Sequence, residues 1–187
     1  FGQEQEEWVL RRIKELAQPV VLASGDLWSQ EAIYKNNPDG TVKKISDGLL
    51  ADHPVQFQNF KSKLAQTQLP MVFLSGDVHF SEVTSMGPEW KGTSREFPYA
   101  TAEITASPAY SILMFPKDGE PAFWKNPQRL TSFRDYGFAS VTLNAKQSEN
   151  NQPKLSYSVD GISIQGLQYR YAQQVEVAAT YKSARRN

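Results

Sequence analysis

Asp77 and His79 stand one residue apart, just past a continuous apolar run, Met71-Val72-Phe73-Leu74, that passes into Ser75-Gly76. A short apolar run bounded by glycine reads as a strand buried on both faces, in the middle of an α/β sheet. Ligands and catalysts of such sheets sit just beyond the carboxyl ends of the strands. With period-two alternation both side chains leave the same side of the backbone, and Val78 points away. A carboxylate and an imidazole converging there can share one metal ion or act on one proton. The same residues also fit a Gly-Asp turn followed by a hydrogen-bonded structural histidine.

The elements that must position them are legible in order. Gln3–Ala17 carries apolar residues at Val9, Ile13, Leu16 and Ala17, with Glu4, Glu6 and Glu7 early and Arg11, Arg12 and Lys14 later. That pattern suits an amphipathic helix and its dipole, and Pro19 ends it. Val20–Ser24 then reads as a buried strand closing at Ser24-Gly25-Asp26. It repeats the later Ser-Gly-Asp pattern, but Leu27-Trp28 replaces the imidazole, so Asp26 reads as a turn residue. Asp52-His53-Pro54 looks like a helix start, followed by a buried stripe of Phe57, Phe60 and Leu64. His53 therefore reads as a capping or solvent-exposed residue and not as a ligand. The two strands, Val20–Ser24 and Met71–Ser75, are expected to be parallel neighbours or near-neighbours. Helices Gln3–Ala17 and Val55–Ala65 should cover sheet faces, with a right-handed crossover.

Lys35–Gly48 is polar and turn-rich and reads as a surface loop. Ser81–Pro98 is rich in Gly, Pro and charge, and Tyr99–Ala106 alternates enough for a strand. Ser107–Gly137 reads as one long irregular loop with many aromatic residues, and such loops are usually functional. Its Lys125, Arg129 and Arg134 could reach an anionic substrate. Phe138–Asn144, Leu155–Asp160 and Leu167–Val175 alternate apolar and polar residues, as in an antiparallel meander with one buried face. The fold class expected is α/β: a two-layer β-sandwich flanked by helices, its C-terminal part an antiparallel strand meander. Residues 1–181 read as one unit and residues 182–187 as a basic tail.

Composition narrows the classes. The chain has 187 residues, 40% hydrophobic and 12% aromatic, enough for a sizeable globular core. With 20 basic and 20 acidic residues the net charge is zero, which argues against a nucleic-acid-binding surface. No run approaches the roughly 18 apolar residues a membrane span needs. Cysteine is absent, so disulfides, thiolate nucleophiles and Cys-bound zinc are excluded. Phe1 enters a helical pattern directly, without Met, as if continued from something longer.

Leu74–Val83, LSGDVHFSEV, resembles the last metal-binding motif of the PhoD-like alkaline phosphatases, a branch of the calcineurin-like metallophosphoesterases. Gln5–Trp8 (QEEW), the strand Val20–Ser24, the helix within His53–Leu64, Glu103–Ser107 (EITAS) and Asp135–Leu143 (DYGFASVTL) resemble further segments of that family in the same order. The resemblance implies a metallophosphoesterase fold with a dinuclear metal site at the strand ends, of which residues 1–181 are the C-terminal part. It implies that Asp77 and His79 are metal ligands, with zinc, iron, manganese or calcium not distinguishable. It implies hydrolysis of phosphate monoesters or diesters by metal-activated water, and an extracytoplasmic location. Arg134, Lys125 and Arg95 are the candidates to neutralise phosphate oxygens. Glu82 and Ser75 read as supporting or structural residues.

The family's other ligands come from an Asp-bearing strand end, a Gly-Asp-x-x-Tyr segment and a Trp-Asp-Asp-His segment. None of these occurs in Phe1–Met71. Two ions about 3.5–4 Å apart need more donors than one Asp and one His. The expected partner is therefore an N-terminal half of the same enzyme, as a separate chain or a removed segment, meeting this chain on a large apolar surface. A different reading keeps the scaffold without catalysis and uses the aromatic loop 107–137 to bind a partner. A third makes His79 the base of a metal-free hydrolase, though no Gly-x-Ser-x-Gly elbow accompanies it.

Overall fold

The structure, a computed structural model, describes residues 2–30, 34–44, 48–76, 80–106, 128–133, 135–147 and 153–177. Asp77, His79, Lys125, Arg134 and the tail 182–187 lie outside the described residues.

Helix α1 spans Gln3–Leu16, with Glu4 and Glu6 in its first turn and Lys14 in its last. Ala17 stops it in the left-handed region (φ 48°) with its N–H on the Ile13 carbonyl, and Pro19 prevents resumption. Strand β1, Val20–Ala23, follows. The stretch read as a loop from Lys35 holds a small hairpin instead, β2 (Tyr34–Asn36) against β3 (Val42–Lys44). Its turn is closed by Asn37 N–H to Thr41 O and Gly40 N–H to Asn37 O. Three-residue strands, Tyr-Lys-Asn and Val-Lys-Lys, are too short to show an alternation in the sequence. A single-turn helix α2 (Leu49–Asp52) leads into α3, Pro54–Ala65, which starts on proline as expected.

Strands β1 and β4 (Met71–Ser75) are adjacent and parallel, Val20 opposite Met71 and Ala23 opposite Leu74. β4 is parallel to β6, Thr101–Thr105, which is antiparallel to β5, Ser81–Met86; β7, Arg129–Phe133, is the far edge. The sheet order is β1-β4-β6-β5-β7. Strands β5 and β7 fall where the sequence offers only polar or irregular stretches. β5 is nearly all buried, yet reads SEVTSM, because its Glu82 and Thr84 find partners inside the protein.

The second sheet is the expected meander, longer than the sequence alternation indicates: β8 (Gly137–Gln147), β9 (Pro153–Ser163) and β10 (Gly166–Val175), in the order β10-β9-β8. Leu155, Tyr157 and Val159 point inward from β9. Gly161 lies opposite Tyr169, and a Cβ there would come within 2.3 Å of the tyrosine ring, so only glycine lets the ring cross the strand. Phe133 of β7 meets Tyr169 at 5.9 Å between ring centroids, and one hydrophobic cluster joins both sheets. The protein is thus mixed α/β with few helices. None of those among the described residues is long and apolar enough to cross a membrane.

The register puts Met71, Phe73 and Ser75 on one face of the sheet with Thr101, Glu103, Thr105, Glu82 and Thr84. Helix α3 covers this face. Phe57, Phe60 and Leu64, at helical spacing, are each no more than 3% exposed. The Trp28 ring lies against Phe57, Phe60 and Phe73, and edge-on contacts continue through Phe97 to Tyr99. Tyr99 Oη donates to Leu69 O at 2.5 Å. Each such side chain contributes about 1.5–3 kcal/mol by leaving water. Phe60→Ala should therefore cost about 3–5 kcal/mol, whereas Val55→Ala, at a side 74% exposed, should stay within about 0.5 kcal/mol. Urea unfolding followed by tryptophan fluorescence measures both, and equal costs would mean that α3 does not pack as described.

Candidate active site

Strands β1, β4 and β6 are mutually parallel, so their carboxyl ends meet along one edge, and Ser75-Gly76 leads from that edge into Asp77. Ser75 Oγ and Thr105 Oγ1 are 2.8 Å apart and buried beneath it. Backbones converge closely here: the position of a Cβ on Gly76 is 3.5 Å from Gly25 O and 3.8 Å from Ala106 O. On the far side of the motif, Phe80 is only 4% exposed.

The loop after β1 is fixed at both ends to one carbonyl. Ser24 N–H donates to Leu74 O at 3.0 Å, and Trp28 Nε1 returns to the same oxygen at 2.8 Å. Between them the Asp26 N–H turns back onto Ser24 Oγ at 3.1 Å, the short local turn that serine side chains stabilise. Below, Glu103 gathers the loop. Its Oε1 accepts Trp28 N–H (2.7 Å); its Oε2 accepts Ser29 N–H (3.3 Å) and Ser29 Oγ (2.5 Å). Arg95 Nη1 completes the shell, 3.3 Å from Glu103 Oε2 and 2.5 Å from Thr84 Oγ1. Glu103 is wholly buried and Arg95 is 4% exposed.

A second buried pair lies one strand over. Arg129 Nε donates to Glu82 Oε2 at 2.5 Å, with Glu82 1% exposed. Burial pushes the Glu82 carboxyl up, and the attraction of Arg129 and Arg95 offsets this only in part. Tyr169 is raised to about 12, first by burial and then by the Glu82 charge. Its hydroxyl is buried with no hydrogen-bond partner among the described residues.

Of the residues singled out in the sequence, Asp77, His79, Lys125 and Arg134 lie outside the described residues. Arg95 is inside the protein, committed to Glu103 and Thr84. His53 is exposed at the start of α3 and makes no side-chain cap, so the exposed alternative describes it. Among the described residues no three His, Asp or Glu side chains converge to hold a metal ion. Sequence reading missed the parts played by Glu103, Ser29 and Arg129. The available signal was an acid placed inside the otherwise strand-like Tyr99–Ala106.

Two outcomes follow from these buried charges. Glu103→Ala leaves Arg95 without its carboxylate and frees three loop donors, and should cost about 3–5 kcal/mol. Urea midpoints measure it, and a loss under about 1 kcal/mol would show that the cluster does not hold the loop. For Glu82 the folded-state carboxyl is raised above its reference of 4.5. The folded state then binds the proton more tightly than the unfolded one, so its contribution is present below pH 4.5 and declines as pH rises through the folded value. The stability of the native protein relative to Glu82→Gln should accordingly fall from pH 4 to pH 8. A rise would mean that pairing with Arg129 outweighs burial.

No family model matches the chain, and no curated protein matches it in sequence. Its fold, however, matches the solved structure of PhoD with a TM-score of 0.55 over 92% of this chain, at 16% sequence identity. The matched region is 31% of PhoD's length, so the chain is similar in fold to about a third of that protein.

Proposed function

We propose that this chain is the C-terminal part of a metal-dependent phosphoric ester hydrolase in which Asp77 and His79 hold metal. The observation carrying the reading is positional. LSGDVHFSEV leaves the carboxyl end of β4, between the parallel neighbours β1 and β6, in a chain whose fold resembles PhoD's. Sheets of this kind place their chemistry at that edge.

The donor set suits the group. One carboxylate and one imidazole serve zinc, iron and manganese, and carboxylates serve calcium. The nearest buried acids, Glu82 and Glu103, are taken up by Arg129 and by Arg95 with the Trp28–Ser29 loop. The remaining ligands of a dinuclear site then come from an N-terminal half of the same enzyme. β1, an edge strand among the described residues, with Val21 and Ala23 exposed on one face, suits such a companion. When bound, the ions supply Lewis acidity that polarises the phosphoryl group and acidifies the attacking water. The chain's own residues do the rest. Asp77 and His79 bind, the buried Ser75–Thr105 pair and Phe80 form a dry floor, and Arg134 and Lys125 neutralise phosphate oxygens. Arg95 acts on the loop through Glu103 and not on substrate.

The test uses the complete natural protein that contains this chain. His79→Ala should lower nitrophenyl phosphate hydrolysis more than about 100-fold, with metal content by elemental analysis falling and the melting curve little changed. His53→Ala should leave both near wild type. Intact mass should show a longer polypeptide or a second one carrying the other ligands. Equal behaviour of the two histidine variants would remove the assignment and favour the non-catalytic scaffold.

A further inference from the structure

We propose that the cavity between helix α3 and the 88–98 segment binds a small hydroxylated carboxylic acid, with Lys61 holding the carboxylate. The cavity has a volume of about 1030 Å³, at the upper end of the range that small-molecule sites occupy. Gln58, Lys61 and Ala65 line it from one stripe of α3, with Gln66 at the helix end. Gln68 and Pro98, which also line it, come just before Met71 and Thr101, where β4 and β6 begin. The cavity is thus at the amino ends of these strands, the opposite edge of the sheet from the candidate metal site. The inference therefore stands apart from the metal-dependent reading above.

Lys61 distinguishes this cavity from a surface hollow. It is only 8% exposed, and its amine makes one hydrogen bond among the described residues, to Ser94 O at 2.8 Å. An ammonium has three N–H groups, so two are left for a ligand. No carboxylate among the described residues forms an ion pair with it. Glu96, the acid whose charge it feels, is exposed and accepts Gly92 N–H at 2.8 Å. A buried ammonium with one carbonyl partner is costly, and an anion beside it offsets that cost. The Glu96 charge favours a singly charged carboxylate there over a doubly charged phosphate. Gln58 and Gln66 suit the hydroxyl groups, since their side-chain amides carry no hydrogen bond among the described residues and each can both donate and accept. Pro88, Pro98 and the buried Phe97 give apolar walls for the carbon chain.

Equilibrium dialysis of labelled gluconate on the complete natural protein tests this without reference to catalysis. Lys61→Met, which keeps the length and apolar stem of the side chain, should weaken gluconate binding about tenfold or more, as expected when a hydrogen bond to a charged group is lost. Gln66→Ala, at an exposed position, should weaken it several-fold, and Lys43→Met, on the exposed strand β3, should bind as wild type. Glucose, which lacks the carboxylate, should not compete. Stripping divalent metal should leave binding unchanged, which separates this cavity from the proposed metal centre. Should Lys61→Met fail to fold, Gln58→Ala and Gln66→Ala provide the same comparison. Wild-type binding in Lys61→Met or, failing that, in both glutamine variants would overturn the site. Binding lost with the metal, or no saturable binding in the native protein, would do the same. Competition by inorganic phosphate as strong as by unlabelled gluconate would overturn the carboxylate class.

Discussion

A single desolvated carboxylate, Glu103, ties the carboxyl edge of the sheet together. A buried carboxylate is tolerable only if its lone pairs are filled and its charge is opposed. Here two backbone N–H groups, a serine hydroxyl and a guanidinium meet those needs. The circuit then closes on itself. Arg95 follows Ser94, whose carbonyl accepts Lys61 Nζ of α3 at 2.8 Å. Burial holds the Lys61 amine below its usual range, against the pull of Glu96. Trp28, fixed by Glu103, lays its ring on Phe57 and Phe60 of the same helix. Helix, loop and strand therefore fix one another, and a disturbance at any one of them is felt at the strand ends.

The parts of the fold that were legible in the sequence are those in which apolar residues carry the pattern. Met71–Leu74 and Val20–Ala23 are short apolar runs, and they proved to be parallel neighbours. Phe57, Phe60 and Leu64 at helical spacing marked the buried face of α3. The alternation in Leu155–Asp160 marked the inward side of β9. What could not be read is what polar residues do when buried. SEVTSM looks like a loop because its burial is made possible by Arg129 and Arg95, which are 47 and 11 residues away from their partners Glu82 and Thr84. Arg95 in turn reads as a candidate to neutralise phosphate oxygens until β6 brings Glu103 beside it. Local pattern reports the hydrophobic effect well and says nothing of long-range charge pairing.

The same asymmetry governs the candidate site. On the proposed reading the motif around Asp77 and His79 supplies the chemistry, while the geometry described up to Gly76 and again from Phe80 is a platform. The buried hydroxyl pair, the tight approach of Gly25 and Gly76 and the clamped loop all act before any ligand is present. Preorganised support of this kind is what lets a few donor side chains hold an ion in a fixed place.

The two sheets are also unevenly covered. Parallel strands are normally covered on both faces. Val72 of β4 is wholly buried, yet on the same face Val21 of β1 is 38% exposed and Ala23 is exposed as well. In the second sheet, inward-facing β9 is buried, while Leu143, opposite Tyr157 on β8, is 41% exposed. Cover therefore thins toward one edge of each sheet, β1 in the first and β8 in the second. A companion that added strands at those edges would bury this apolar surface and extend the sheet from β1, an edge strand among the described residues. It would also bring its own side chains toward the carboxyl end of β4, after which the Asp77–His79 motif follows in sequence. On the proposed reading, folding of the two halves together and assembly of the metal site are therefore one event, because the surface that drives the first lies beside the donors that need the second.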